Sequence, residues 1–282
     1  MRIEMKFPMK IVLTSILAVG AVMSAASISH AQDADAAFAA VVGDLPDGYV
    51  EPEALPNSLV LVPTAPQYGS ARKAADEATA AAAIEIQSTV RFDLARRDAN
   101  LHFPEATDAF ACALGARITV EDTPRLQQLM VRSLVDAGLS TYKAKTEYKR
   151  KRPFMENGAP ICTPEDEETL RTDGSYPSGH TAVGWAWALI LSELAPNRTD
   201  ALLARGIQFG ESRIICNVHW RNDVTTGRLM GASAVAIMHA NPEFIADMKA
   251  AKAELAAAPP LSGVDCAAEA EALKIWSSPL AR

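Results

Sequence analysis

The sequence predicts an all-α fold: a single helical domain with an extended Pro-rich N-terminal arm. Three observations predict it. Helix formers dominate from Ala71 onward, as in "ARKAADEATAAAAIEIQSTVRFDLARRDA". Apolar residues there recur at helical spacing, as at Leu126, Leu129, Met130, Leu134 and Val135. Alternating β-branched runs are missing, and no internal repeat interrupts the pattern.

The elements follow in order. Residues 1–31 read as a cleaved signal peptide. Arg2, Lys6 and Lys10 give a basic start, and "IVLTSILAVGAVM" has the length of a signal h-region rather than of a membrane span. Small residues at Ser29 and Ala31 place the cleavage after Ala31. Residues 32–70 form the arm, since Pro46, Pro52, Pro56, Pro63 and Pro66 forbid a long helix. Residues 71–256 form the helical domain. A break is expected at Gly138. The next helix runs to Arg152 and stops there, because Pro153 disfavours helix in the residue before it. "ENGAPICTPEDEETLRTDGSYPSG" is a loop with one short helix, and helices follow near 181–195, 199–213, 217–240 and 242–256. Residues 257–282 read as a peripheral tail.

Composition narrows the function. With 49% hydrophobic and 22% charged residues the chain folds as a globular core. A net charge of -7 argues against a nucleic-acid polymer as partner, because phosphate backbones call for a basic surface. No segment after the signal reads as a membrane span, so no membrane contact is expected after cleavage, and the location is periplasmic or secreted. A homo-oligomer stays open. Four cysteines, Cys112, Cys162, Cys216 and Cys266, are disulfide candidates in an exported chain. Without a CxxC pair they do not read as a zinc site.

Three fragments carry chemistry. Lys145 and Arg152 are seven residues apart, near two helical turns, which puts both on one face. The plainer reading of "KTEYKRKR" is a solvated basic patch, and Lys143, Lys149, Arg150 and Lys151 fit it. In "PSGH", Pro177 fixes φ, Gly179 removes bulk, and the helix beginning near Thr181 points free amides at whatever precedes it. With the Ser178 hydroxyl this is an anion nest. Ordinary capping by Ser178 is the plainer reading, but it leaves Gly179 and His180 unexplained. A serine-hydrolase elbow is rejected, because Tyr176 and His180 stand where it needs glycines. In "SRIICNVHWRND", His219 and Asp223 are four apart and share a helical face, so the carboxylate can fix the ring's tautomer. Arg213 must then reach the site from a bend. A metal set of His180, His219 and Asp223 is the rival arrangement, and the cations Lys145, Arg152 and Arg213 count against it.

Together the fragments read K-x6-R-P, P-S-G-H and S-R-x5-H-x3-D, met at Lys145–Pro153, Pro177–His180 and Ser212–Asp223. This resembles the signature of the type 2 phosphatidic acid phosphatase and vanadium haloperoxidase superfamily. "GSYPSGHT" further resembles the class A bacterial non-specific acid phosphatases, and the similarity extends through "LPNSLVLVPTAPQYGSARKAADEA", "DAFACALGARIT" and "NPEFIADMKAAKAE". Asn217 stands where the family carries glycine, a small departure since Asn tolerates a left-handed backbone.

The resemblance implies a metal-independent acid phosphatase with no cofactor that hydrolyses a broad range of phosphate monoesters, with transfer to alcohols left open. It implies His219 as the nucleophile that forms a phosphohistidine, Asp223 as the group that holds its ring, and His180 as the general acid. Lys145, Arg152, Ser178, Gly179 and Arg213 would bind the phosphoryl oxygens. Cys162 and Cys216 flank this implied site, so they are expected to pair, with Cys112–Cys266 as the remainder. A vanadate-dependent haloperoxidase, a lipid phosphatase and a non-catalytic phosphate-binding helical protein are the competing readings.

Overall fold

The computed structural model describes residues 45–276. The expected signal peptide and the first residues of the arm, 32–44, lie outside the described residues, as do 277–282.

Residues 45–70 run extended, apart from a 3-10 turn at Pro52–Ala54 and one short helix, α1 (Ser58–Leu61). This segment is pinned to the helical body by buried hydrogen bonds. Tyr49 N donates to Asp136 Oδ2 at 2.8 Å, and the Ser58 hydroxyl accepts from Ala144 N at 2.9 Å. Next come α2 (Ala71–Ile84), α3 (Val90–Asp98), the short α4 (Ala111–Leu114), α5 (Pro124–Leu139) and α6 (Tyr142–Tyr148). The loop before the PSGH motif holds two short helices rather than one, α7 (Phe154–Asn157) and α8 (Glu167–Thr172). The long helices follow: α9 (Gly179–Leu194), α10 (Thr199–Ile215), α11 (Arg221–Met238) and α12 (Pro242–Ala257). A last helix, α13 (Cys266–Lys274), occupies the segment read as tail. Asp265 caps it, Cys266 is disulfide-bonded to Cys112, and Glu269 lies 3.4 Å from Arg205. No strand occurs among the described residues.

Helix α9 is the central member. Its composition is Ala, Trp, Leu and Ile, apolar nearly all round, which suits a helix enclosed by others. It packs against α5, α10 and α11. Trp187 is fully buried, its Nε1 donates to Met130 O at 2.9 Å, and the Phe110 ring meets it edge-on. Leu126, Leu129, Met130 and Leu134 of α5 are fully buried, as their spacing predicts. Each such side chain contributes about 1.5–3 kcal/mol by leaving water.

Small residues let α11 approach the start of α9. A Cβ on Gly227 would stand 2.5 Å from Ser178 O. The two segments also share a backbone hydrogen bond, Ser178 N to Asp223 O at 3.0 Å. The PSGH turn and the turn bearing His219 are therefore one rigid unit.

The break expected at Gly138 falls one residue later, where α5 ends at Leu139. Other expectations need correction. The next helix, α6, ends at Tyr148 rather than Arg152, because Lys149 takes a left-handed conformation with φ 42°. In addition, α11 starts at Arg221, not 217, so His219 and Asp223 do not share a helical face.

Candidate active site

The site lies where α6, the PSGH turn and the α10–α11 connection converge. Lys145 comes from α6 and is buried. Arg152 arrives from the non-helical stretch after the left-handed Lys149, not from the same helix face, and is 1% exposed. Lys143, Lys149 and Lys151 are exposed, as a solvated patch would be. Arg150 departs from that reading. Its Nη1 donates to Asp223 Oδ1 at 2.5 Å and its Nη2 to Asp76 Oδ2 at 2.6 Å, inside the protein.

The PSGH turn caps its helix as the plainer reading expects. Ser178 is the N-cap of α9, its Oγ accepting from Thr181 N at 3.2 Å. The same oxygen accepts from the Thr181 hydroxyl at 2.9 Å, which leaves its own proton to donate elsewhere. Tyr176 OH donates to Pro63 O at 2.7 Å and ties the turn to the arm.

Arg213 stands in the last turn of α10, a helix rather than the expected bend. The bend follows it: Asn217 takes φ 61°, the left-handed backbone anticipated for that position. This reversal delivers His219 beside Arg213. Trp220 Nε1 donates to Lys151 O at 2.8 Å and locks the reversal against the Arg152 segment. Asp223, at the third position of α11, accepts from Trp220 N at 2.8 Å through Oδ2. That oxygen lies 3.4 Å from His219 Nδ1. The pair meets because this bond folds the carboxylate back over the helix start, not because of helical spacing.

The hydrogen bonds assign the tautomers. Arg152 Nη1 stands 3.1 Å from His219 Nε2, and a guanidinium can only donate. Nε2 is therefore the lone-pair nitrogen, and Nδ1–H faces Asp223. His180 Nε2 lies 2.6 Å from Asp98 O, so it carries the proton and leaves Nδ1 for other use. The His180 ring stacks on Phe209 with centroids 4.8 Å apart. Asp98 is itself fixed: its carboxylate takes Arg205 and, at 2.6 Å, the hydroxyl of Ser212.

Electrostatics follow from burial among cations. Burial, then the charges of Arg152, Lys145 and Arg213, push His219 well below the usual histidine range. Burial and Arg213 do the same to His180. Burial, then Arg152, lowers Arg213 to about 10, so it stays charged in any working range. Burial raises the Asp223 carboxyl, against the opposing pull of Arg150.

A small cavity of about 40 Å³ opens among Lys145, Arg152, Gly179, His180, Arg213 and His219. His180 and Arg213 also line an outer cavity of about 330 Å³ with Asn100, His102, Glu165 and Asp166. Arg213 Nε and Nη1 are buried and find no hydrogen-bond partner among the described residues. No group of three metal-ligating side chains forms among those residues. Cys162 is bonded to Cys216 and braces the loop behind the site. Sequence reasoning missed Arg150, Asp98 and Asp173. Asp173 accepts from Lys145 Nζ at 2.9 Å and from Arg152 Nη2 at 2.8 Å. An acidic residue directly before "GSYPSGH" was the one available signal for it.

An all-α protein with a carboxylate-oriented histidine facing three buried cations is built for phosphoryl transfer. Residues 129–245 match the PAP2 superfamily. The chain is 42% identical to a non-specific acid phosphatase of Providencia stuartii over 71% of this chain and 81% of that one. It is 40% identical to an acid phosphatase of Zymomonas mobilis over 67% of this chain and 72% of that one. A non-specific acid phosphatase of Salmonella typhimurium is also 40% identical, over 60% of this chain and 68% of its own. The chain belongs to the bacterial non-specific acid phosphatases of the PAP2 superfamily. Among the described residues no helix is long and apolar enough to cross a membrane.

Proposed function

We propose that this acid phosphatase is exported and hydrolyses a broad range of small phosphate monoesters through a phosphohistidine on His219. One observation carries the reading: the buried guanidinium of Arg213 has unmet donors at a small cavity whose walls also hold Lys145, Arg152 and a lone-pair nitrogen of His219. Unmet buried donors are costly, and an oxyanion supplies what they lack.

The chemistry runs in two steps. The His219 Nε2 lone pair forms a bond to phosphorus as the ester P–O bond breaks. Nδ1–H, facing Asp223, carries the positive charge that develops on the ring. Lys145, Arg152, Arg213, the Ser178 hydroxyl and the Gly179 amide take the spreading negative charge. The negative charge of the bound ester offsets Arg213 and lets His180 take up a second proton at Nδ1, with Nε2–H kept on Asp98 O. The charged ring gives that Nδ1 proton to the departing alcohol, which occupies the larger cavity that His180 also lines. Water then attacks the phosphohistidine, returns a proton to His180 and releases phosphate and free His219. Breadth of substrate fits a site that grips the phosphoryl group by five groups. Export fits the signal-like start and the two disulfides.

The test follows p-nitrophenyl phosphate hydrolysis with chelator and in His219→Ala, and traps phosphoenzyme from a phosphorus-radiolabelled ester by quenching in alkaline detergent, because the phosphorus–nitrogen bond is acid-labile. Trapped phosphohistidine, lost in His219→Ala and indifferent to chelator, is expected. Activity lost to chelator, or retained in His219→Ala, would refute the mechanism. Bromide oxidation gained with vanadate would favour the haloperoxidase reading. An N-terminus at Gln32 in protein recovered from the periplasm or medium would support export, and an uncleaved N-terminus would count against it.

A further inference from the structure

Two of the three cations assigned to phosphate are already occupied by an anion of the protein itself. A single oxygen, Asp173 Oδ2, accepts from both Lys145 Nζ and Arg152 Nη2. The other nitrogens of Arg152 have partners as well. Nε gives to Leu170 O and Asp173 O, and Nη1 gives to Val218 O and reaches His219 Nε2. Lys145 Nζ also donates to Gly174 O at 2.5 Å. Of the three cations, Arg213 is the one with buried nitrogens that have no partner among the described residues. Asp173 lines the same 40 Å³ cavity, so its carboxylate stands where a phosphoryl oxygen would meet Lys145 and Arg152.

We propose that the Asp173 carboxylate is an internal competitor for the phosphate site, yielding Lys145 and Arg152 to the incoming oxyanion and thereby setting how tightly ester and product phosphate are held. This rests on the phosphate reading of the pocket above. The logic is electrostatic. In the empty site Asp173 keeps two buried cations paired, which a buried charge requires. When an oxyanion enters, it must displace that carboxylate or bear its repulsion at close range. Both weaken the ground state, so product leaves more readily. A transition state with charge spread over three equatorial oxygens draws on the cations more strongly than the carboxylate does, so rate is preserved. Burial works to raise the Asp173 carboxyl, but Lys145 and Arg152 outweigh it and keep it ionised, in step with the geometry.

The rival role gives the opposite sign. If Asp173 were a fixed scaffold that aims the two cations, its loss would weaken binding. Titration calorimetry of inorganic phosphate into the full-length mature protein separates the two. Asp173→Asn, confirmed folded by its melting curve, should bind phosphate about tenfold or more tightly than wild type, a difference of about 1.4 kcal/mol. Asp173→Glu, which keeps the charge, should stay within about threefold of wild type. Phosphate bound by wild type but equally or more weakly by Asp173→Asn would overturn the competition. Tightening equal in Asn and Glu would also overturn it, since charge would not be the cause. No heat in any of the three proteins would instead remove the phosphate reading of the pocket. Should Asp173→Asn fail to fold, a tungstate-soaked crystal of wild type decides. The carboxylate contacts to Lys145 and Arg152 should be broken beside the bound ion, and their persistence would overturn the proposal.

Discussion

Gly227→Ala tests whether the approach of α11 to the PSGH turn sets the catalytic geometry. The added Cβ would stand 2.5 Å from Ser178 O and 3.0 Å from Thr181 Cβ. Carbon–oxygen contact needs roughly 3.4 Å, so about 0.9 Å of separation must open between the two segments. Ser178 and His180 lie on one side, Asp223 and the His219 turn on the other, and the Ser178 N to Asp223 O hydrogen bond spans the gap. Overpacking of this kind costs about 1–3 kcal/mol in stability. For a chain this long that lowers the melting temperature by roughly 2–4 °C per kcal/mol. The effect on rate is larger, because a misplacement near 1 Å costs about 10²-fold in a site that works by positioning. The assay is kcat for p-nitrophenyl phosphate beside a melting curve, at a temperature where the variant is folded. A folded Gly227→Ala protein with wild-type kcat would refute the argument that this contact fixes the site.

Other perturbations separate the roles of neighbouring groups. Arg150→Met strips the cation from buried Asp76 and Asp223, so stability should fall by about 3–5 kcal/mol. Its kcat should fall about a hundredfold as Asp223 loses ionisation, with partial rescue in Arg150→Lys; equal activity in all three proteins would exclude a positioning role for Arg150. His180→Asn should lose about 10²–10⁴ in kcat with alkyl phosphates and much less with p-nitrophenyl phosphate, whose leaving group needs no proton. Equal losses on both substrates would exclude the general-acid assignment. His180 and His219 are depressed when folded, so below about pH 6.5 the unfolded chain binds more protons. Their contribution to stability is therefore present above about pH 6.5 and lost as pH falls towards the folded values. Asp136, raised by burial to about 6, acts in the opposite sense but equally in a variant. The melting temperature of wild type should thus fall more steeply from pH 7 to pH 5 than that of His219→Asn, and parallel slopes would contradict the assigned depression.

The helices were legible because burial and periodicity coincide: Leu126, Leu129, Met130 and Leu134 repeat at helical spacing and all four are fully buried. The site residues were legible for a different reason. Their identities and spacings form a pattern, even where the local geometry inferred from that pattern was wrong. Lys145 and Arg152 do converge on one cavity, yet a left-handed Lys149 breaks the helix that was to align them. His219 and Asp223 do meet, yet through a carboxylate folded back onto Trp220 N at the start of α11. What stayed hidden depends on contacts distant in sequence. Arg150 looked like its solvated neighbours, and only the fold brings Asp76 and Asp223 to it.

The same turn explains how Arg150 and Arg152 both reach the interior. In a continuing helix they would point about 200° apart, and one of them would face solvent. The break at the left-handed Lys149 takes the next stretch out of the helix and frees the two side chains from that angle. Ser175 N then donates to Arg150 O at 2.9 Å, and Phe154 N to Asn217 O at 3.2 Å, so both ends of the stretch are held. Both guanidiniums are thereby directed inward, Arg150 to Asp223 and Arg152 to His219. A helix would have supplied one buried cation at this place. The site needs two, and the left-handed residue is what provides the second.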